Sequence, residues 1–260
     1  MKIIVKVALV GFFMVIYMPT QAQLLVGVKA GFQMSKIGYN DKDYYDEHSV
    51  SFKPGYNAGA VLNYKVSNTF SLHTELFFSA KGKVEKKKQY DVKNVVAYHY
   101  IDLPLLLRVS HHGKIKQQRV EYYFNTGPSF SYWLGGRGKL RSGELEEYMN
   151  AEGMRYSIKF KDDDGDYGSS LYVNEPNRLQ MELNLGGGLI FDMARGQKLM
   201  VDMRYAFGIG QTFLGTKAGG TFGLVAYHDN LEGVNHVISV SAGYLFEIDV
   251  RRMLKKGKIR

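Results

Sequence analysis

The chain contains no cysteine. That absence excludes disulfides, thiolate metal sites, cysteine nucleophiles and anchoring through a lipidated cysteine. Proline is scarce, with 5 in 260 residues. Beyond residue 22 no stretch approaches the roughly 20 consecutive apolar residues that a transmembrane helix requires. A G-x-S-x-G nucleophile motif, a phosphate-binding loop and a basic aromatic groove for nucleic acid are missing too. With no complete catalytic constellation, the sequence predicts neither an enzyme nor a cofactor.

What is abundant is tyrosine (19), phenylalanine (15) and glycine (29), a balance that favours strands and turns. The net charge of +9 belongs to the ends. Lys2, Lys6 and six basic residues from Arg251 to Arg260 supply eight of those charges, leaving +1 for residues 23–250. A basic binding face for nucleic acid is therefore not indicated. Residues 1–22 read as a secretory signal peptide: MKIIVK is a positive start, VALVGFFMVIYM an apolar run, and Thr20 and Ala22 the small residues before the expected cut. The remaining organisation is one unit over 23–250 followed by a basic tail, 251–260.

Eight segments alternate apolar and polar residues with a period of two: 24–36, 55–66, 69–81, 98–109, 120–133, 179–192, 198–212 and 236–250. A sustained period of two marks strands, because successive side chains point to opposite faces. Each segment is long enough to cross a bilayer at a tilt. The connections alternate as well. Those over 39–54, 83–96, 134–178 and 213–235 are long; those over 67–68, 110–119 and 193–197 are shorter. The pattern predicts an all-β, eight-stranded antiparallel up-and-down transmembrane β-barrel, with long loops extracellular and both termini periplasmic. Pro104 and Pro128 fall inside strands, where local bulges are expected to accommodate them.

Alternation alone does not say which face points inward, since a soluble barrel with an apolar interior has the same rhythm. The polar face is rich in glycine and serine, and its charges are single and of both signs. The apolar face is nearly free of charge, and aromatics such as Tyr56, Tyr64, Phe70, Tyr122, Tyr132, Phe191 and Phe246 lie toward strand ends. Charge on a lipid face would cost about 2–4 kcal/mol at mid-depth. The composition therefore places lipid outside and a compensated charge network inside, formed by Lys29, Glu75, Asp102, Arg108, Glu121, Glu182, Asp202 and Arg204.

The VGVKAGF strand, the IDLPLLLRV segment, YYFNTGPSFSY and the closing ISVSAGYLF together resemble the PorT-like outer-membrane β-barrel family of Bacteroidetes. The most specific portion is the run Asp102, Leu103, Pro104, Leu105, Leu106, Leu107 and Arg108. The resemblance implies an eight-stranded barrel in the outer membrane, and for the namesake a part in type IX secretion. Implied partners are outer-membrane lipid and envelope or secretion-complex proteins that meet the loops or the basic tail.

Other features carry less chemistry. Asp162, Asp164 and Asp166 alternate as in a calcium loop, but the positions that should hold glycine and an acid hold Tyr167 and Val173, so a solvated acidic loop is expected. The acidic stretch 41–48 and the basic stretch 83–93 stand on neighbouring long connections and are expected to pair with one another or to meet a partner or lipopolysaccharide. His73 is expected to hydrogen-bond inside the barrel, and His111 and His112 to be exposed. His228 and Asp229 are the residues around which a small outer-membrane hydrolase would be built. That reading and a narrow channel remain the alternatives to a structural or interaction role.

Overall fold

The computed structural model describes residues 23–89, 92–143, 147, 153–160, 170–173, 176–209, 217–222 and 225–249. The expected signal peptide, Asp162, Asp164, Asp166 and the basic tail lie outside the described residues. The strands are β1 (Gln23–Tyr39), β2 (His48–Ser51), β3 (Lys53–Lys65), β4 (Phe70–Lys87), β5 (Lys93–Ile115), β6 (Gln118–Arg141), β7 (Met154–Lys159), β8 (Ser170–Val173), β9 (Leu179–Asp192), β10 (Gln197–Gly208), β11 (Lys217–Phe222), β12 (Val225–Asn230) and β13 (Gly233–Asp249). A short helix, α1 (Lys42–Glu47), is capped by the Asp41 carboxylate, which accepts from the Asp43 N–H.

Eight strands hydrogen-bond in a closed ring, in the order β1, β3, β4, β5, β6, β9, β10, β13 and back to β1, every pairing antiparallel. They overlap the eight alternating segments of the sequence. Among the described residues no helix is long and apolar enough to cross a membrane. The ring presents its apolar parity outward: Val28 is 64% exposed, Met203 60% and Leu105 45%, with no charged side chain interleaved in those rows. The opposite parity is buried inside, where Lys29, Glu75, Arg108 and Glu182 have almost no contact with solvent.

The connections depart from expectation at both ends. The ten-residue turn over 110–119 is mostly strand, because Ser110 to Ile115 stay in register with Tyr123 to Gln118. Only Lys116 and Gln117 turn the chain, with Lys116 at φ 56, the left-handed backbone that a two-residue hairpin demands. At β3–β4 the Ser67 hydroxyl accepts from the Thr69 and Phe70 N–H groups. The long connections are partly strand as well. β4, β5 and β6 run past the apolar band, and β6 passes its pairing on through β7, β8, β11 and β12. Local alternation in these short pieces is too brief to announce a strand; a neighbour already in place supplies the partner. The acidic and basic stretches do meet, through β2 on β4 and the Lys88 ammonium on the Tyr45 carbonyl.

Bulges are not found at Pro104 and Pro128. Pro104 stands opposite Ser129 in the same register that later pairs Leu107 with Thr126, and Pro128 stands opposite Leu183 in step with its neighbours. A missing N–H deletes one ladder bond but does not insert a residue, so the β5–β6 pairing lapses opposite Gly127 and Pro128 and then resumes. The register shift lies instead at His99/Tyr100, opposite Gly135 and Trp133. At the lapse, a Cβ on Gly127 would lie 2.2 Å from the Leu105 carbonyl oxygen. Gly127→Val is expected to destabilise the ring by at least about 3 kcal/mol, the top of the ordinary overpacking range. Gly143→Ala, where nothing lies within 4 Å, should leave urea unfolding unchanged.

Candidate functional site

Inward-facing positions of the ring are stratified. At the short-turn end Leu25, Val61, Phe77, Tyr123, Ile190, Met200 and Leu245 form an apolar cluster. At the long-connection end Trp133, Tyr98, Tyr100, Val96 and Ile37 belong to a second, aromatic-rich core that continues into β7 and β8. Trp133, the chain's one tryptophan, is fully buried and donates its indole N–H to the Gly135 carbonyl at 2.8 Å. Between these layers lie two ionic clusters.

In the first cluster the Lys29 ammonium bridges Glu75 Oε1 at 2.8 Å and Asp202 Oδ2 at 2.7 Å. Arg204 grips Glu75 with two nitrogens, at 2.6 and 3.0 Å, and reaches Asp202 at 3.3 Å. His73 Nε2 lies 2.8 Å from Glu75 Oε1, and the Tyr123 hydroxyl donates to Asp202 Oδ2 at 3.2 Å. Two carboxylates thus share two cations, and the bidentate arginine contact fixes their geometry. Gly188 leaves the space this needs: a Cβ there would stand 2.6 Å from the Tyr123 hydroxyl. The second cluster centres on Lys81, which donates to Asp102 Oδ1 at 3.1 Å, to Glu182 at 2.7 and 2.9 Å and to the Ser131 hydroxyl at 3.1 Å. A void of about 40 Å³ separates the clusters, room for very little beyond ordered water.

The eight anticipated charges therefore all face the interior but do not form one network. Lys29, Glu75, Asp202 and Arg204 belong together; Asp102 and Glu182 depend on Lys81. Glu121 sits near the short-turn mouth, held by Lys65 at 2.9 Å, with the exposed His112 at 3.6 Å. Arg108 has no carboxylate within ion-pair distance among the described residues; its guanidinium stacks on the Tyr123 ring, 3.8 Å from the centroid. In the motif, Leu103 and Leu105 face outward while Pro104 and Leu106 face inward with Asp102 and Arg108, so the run alternates like the rest of β5. Sequence reasoning passed over Lys81 and Lys83 as members. The available signal was parity, since both continue the inward row of Glu75 and Ser79.

Above the apolar band a cleft of about 290 Å³ opens between the ends of β4, β5 and β12, beside α1. Tyr44, His48, Glu85, Asn94, Tyr227 and Asp229 line it. Lys83 ties its floor together, contacting Asp229 Oδ1 at 2.6 Å, Glu85 Oε2 at 2.5 Å and the Tyr39 hydroxyl at 2.6 Å. The Tyr44 hydroxyl donates to the other oxygen of Glu85, and the His48 ring stacks on Tyr44 at 4.2 Å. Burial pushes the Asp229 carboxyl up to about 6; Lys83 offsets part of that and the Glu85 charge adds to it. Burial also opposes the Glu85 carboxylate, yet Lys83 and the Tyr44 hydroxyl hold its pKa below the usual value. His228 is exposed while Asp229 is buried against Lys83, as adjacent strand residues on opposite faces must be.

Over residues 20–214 the sequence matches the family described as outer membrane protein beta-barrel domain. No curated protein matches the chain. Among solved structures, the outer membrane protein OprG from Pseudomonas aeruginosa is similar at 10% identity, over 87% of this chain and 96% of that one, with a TM-score of 0.47. Ail, the attachment invasion locus protein of Yersinia pestis, solved with the heparin analogue sucrose octasulfate, is similar at 12% identity over 87% and 100% of the two chains, TM-score 0.34. The outer membrane protease OmpT from Escherichia coli is similar at 9% identity over 88% and 97%, TM-score 0.30.

Lys81→Met leaves Asp102 and Glu182 buried without their cation, which should cost about 3–5 kcal/mol in urea unfolding from lipid vesicles. Adding Asp102→Asn and Glu182→Gln to it should recover most of that loss. A raised Asp229 pKa means that its contribution to stability is complete below the ordinary value of 3.8 and is lost as pH rises through about 6. Glu85 has the opposite sign, contributing above 4.5 and losing it in acid, and Lys83 stays charged throughout. The Asp229 contribution is read as the urea midpoint of the protein minus that of Asp229→Asn, both carrying His48→Gln to remove the neighbouring imidazole, so that the histidines common to the two cancel. That difference is expected to fall as pH rises from 5 to 7.

Proposed function

The chain belongs to the outer membrane protein beta-barrel domain family, and from that premise we propose that it is an eight-stranded antiparallel up-and-down transmembrane barrel serving as a non-enzymatic structural or interaction protein of the cell envelope. The observation that carries this reading is the closed interior. Two ionic clusters and two apolar clusters fill the ring above an open mouth of about 550 Å³ at the short-turn end, inside a wall whose outward rows are apolar. Eight strands leave room for side chains and little else, so a diffusion pore is disfavoured on geometry as well as on packing.

Function then falls to the surfaces outside the bilayer. In the proposed orientation the two-residue and other short turns are periplasmic, and the extended ends of β4 to β8, with the cleft among them, are extracellular. A large share of the strand-forming sequence is invested there, and such projections on a rigid frame are where partners are met. The Asp229 carboxylate is committed to Lys83, which argues against its serving as the base of a hydrolase with His228. A link to type IX secretion rests on the likeness of the Asp102–Arg108 run to PorT-like proteins, and is the narrower part of the proposal.

Purified protein in planar lipid bilayers is expected to give no stable channel steps. Sustained conductance would replace this reading with the narrow channel. Crosslinking in native membranes should capture envelope proteins through the long-connection end, and deletion of the chain should impair export of secreted cargo if the narrower part holds.

A further inference from the structure

The floor of the cleft beside α1 lacks donors for the acceptors it holds. The Lys83 ammonium carries three N–H groups and has four oxygens to serve: Asp229 Oδ1, Glu85 Oε2, the Tyr39 hydroxyl and the Asn230 carbonyl. The Tyr39 hydroxyl donates its own proton to the same Asn230 carbonyl at 3.1 Å, and the Tyr44 hydroxyl donates to Glu85 Oε1. Asp229 Oδ2 is left over. It has no hydrogen-bond partner among the described residues, although Asp229 borders the cleft and is only 2% exposed. The buried Tyr98 hydroxyl has none either, so the two do not reach one another. His48 adds a second acceptor. Its Nδ1 lies 3.2 Å from the Tyr44 carbonyl oxygen, which can only accept, so that nitrogen carries the proton and Nε2 of the neutral ring presents a lone pair. Nε2 stands 3.8 Å from Glu85 Oε1, a gap that one donor nitrogen about 2.7–3.2 Å from each can bridge. Glu85, Asp229 and Glu232 also set three carboxylates around the cleft against two lysines, Lys83 below and Lys87 in the lining.

We propose that this cleft binds a primary alkylammonium ion, resting on the reading above only for the cleft's place outside the bilayer. An ammonium brings three donors, no acceptor and one positive charge. That is what the lining is short of: hydrogen for Asp229 Oδ2 and His48 Nε2, and a counter-charge for the third carboxylate. A hydroxylic ligand would bring further acceptors to a place that already holds unmet ones. A metal ion matches less well, since among the described residues no three histidine, aspartate or glutamate side chains are grouped as its ligands would be. The volume of about 290 Å³ leaves room behind the charged head for a short alkyl stem, and Val92 and Tyr227 line the same space. Two sources carry this chemistry, a free amine and the lysine side chain of a peptide.

The test titrates pentylammonium chloride into the folded protein in detergent micelles and follows binding by calorimetry, with pentan-1-ol as the uncharged probe of equal length. Wild type should bind pentylammonium and not pentan-1-ol. Asp229→Asn should weaken binding about ten-fold or more, as loss of a hydrogen bond to a charged group does. His48→Phe keeps a ring on Tyr44 and removes Nε2; it should weaken binding about two-fold to ten-fold, and it decides the matter if Asp229→Asn does not fold. Glu247→Gln, at the short-turn mouth, should leave binding unchanged. Competition by Nα-acetyl-lysine amide supports the site with a peptide side chain as its source, and binding of pentylammonium without that competition supports it with a free amine. No binding by wild type, equal binding of pentan-1-ol, displacement by an equal concentration of potassium or calcium ions, or undiminished binding in both variants would overturn the inference and leave the barrel reading intact. Binding by a protein that stays soluble without detergent would support the cleft while overturning the transmembrane reading.

Discussion

Backbone N–H and C=O groups in hydrocarbon have no water to turn to, and every one must be satisfied by the chain itself. Closing a sheet on itself does this without leaving an edge. The ring from β1 through β13 and back follows from that constraint, as does the length of its strands. Once the ring closes at eight strands, its interior has a fixed, small cross-section. Every inward side chain then has to fit among seven neighbouring strands, and every inward charge has to find its counter-charge there.

The interior meets that demand unevenly. Lys29, Glu75, Asp202 and Arg204 satisfy one another in a compact knot, and Lys81 serves two carboxylates from β5 and β9. Buried ion pairs of this kind are weak evidence for stability, since desolvation offsets most of the attraction. Their consequence is geometric: removing either sign strands the other, so the register of distant strands is coupled through the middle of the ring. Arg108 shows the other solution, a guanidinium spread over an aromatic face with its charge shared at longer range.

Along its outer surface β4 passes from the apolar row that ends at Phe78, through Ala80, Gly82 and Val84, to Lys86 opposite Lys93. The solvent changes and the side chains change with it. Inside, the aromatic core around Trp133 and Tyr98, whose rings meet edge to face at 5.4 Å, joins the upper end of the ring to the β7–β8 extension. The cleft beside α1 therefore stands on a packed base, with Lys83 tying β4 to β12.

Sequence alone determined the period-two rhythm, the location of eight strands and the parity of each face, because a strand's side chains alternate whatever surrounds them. The inward placement of Lys29, Glu75, Arg108 and Glu182 was legible for the same reason. Tertiary structure decided which charges meet, since Lys29 finds Asp202 across 173 positions of chain and no local pattern encodes that contact. It also decided that Pro104 and Pro128 stay in register, because the pairings on either side of each proline fix it, and that 110–115 is strand, because β6 alone holds that segment. The extension through β7, β8, β11 and β12 was invisible for a related reason: strands of four to six residues acquire their order from a partner already in place, not from their own sequence.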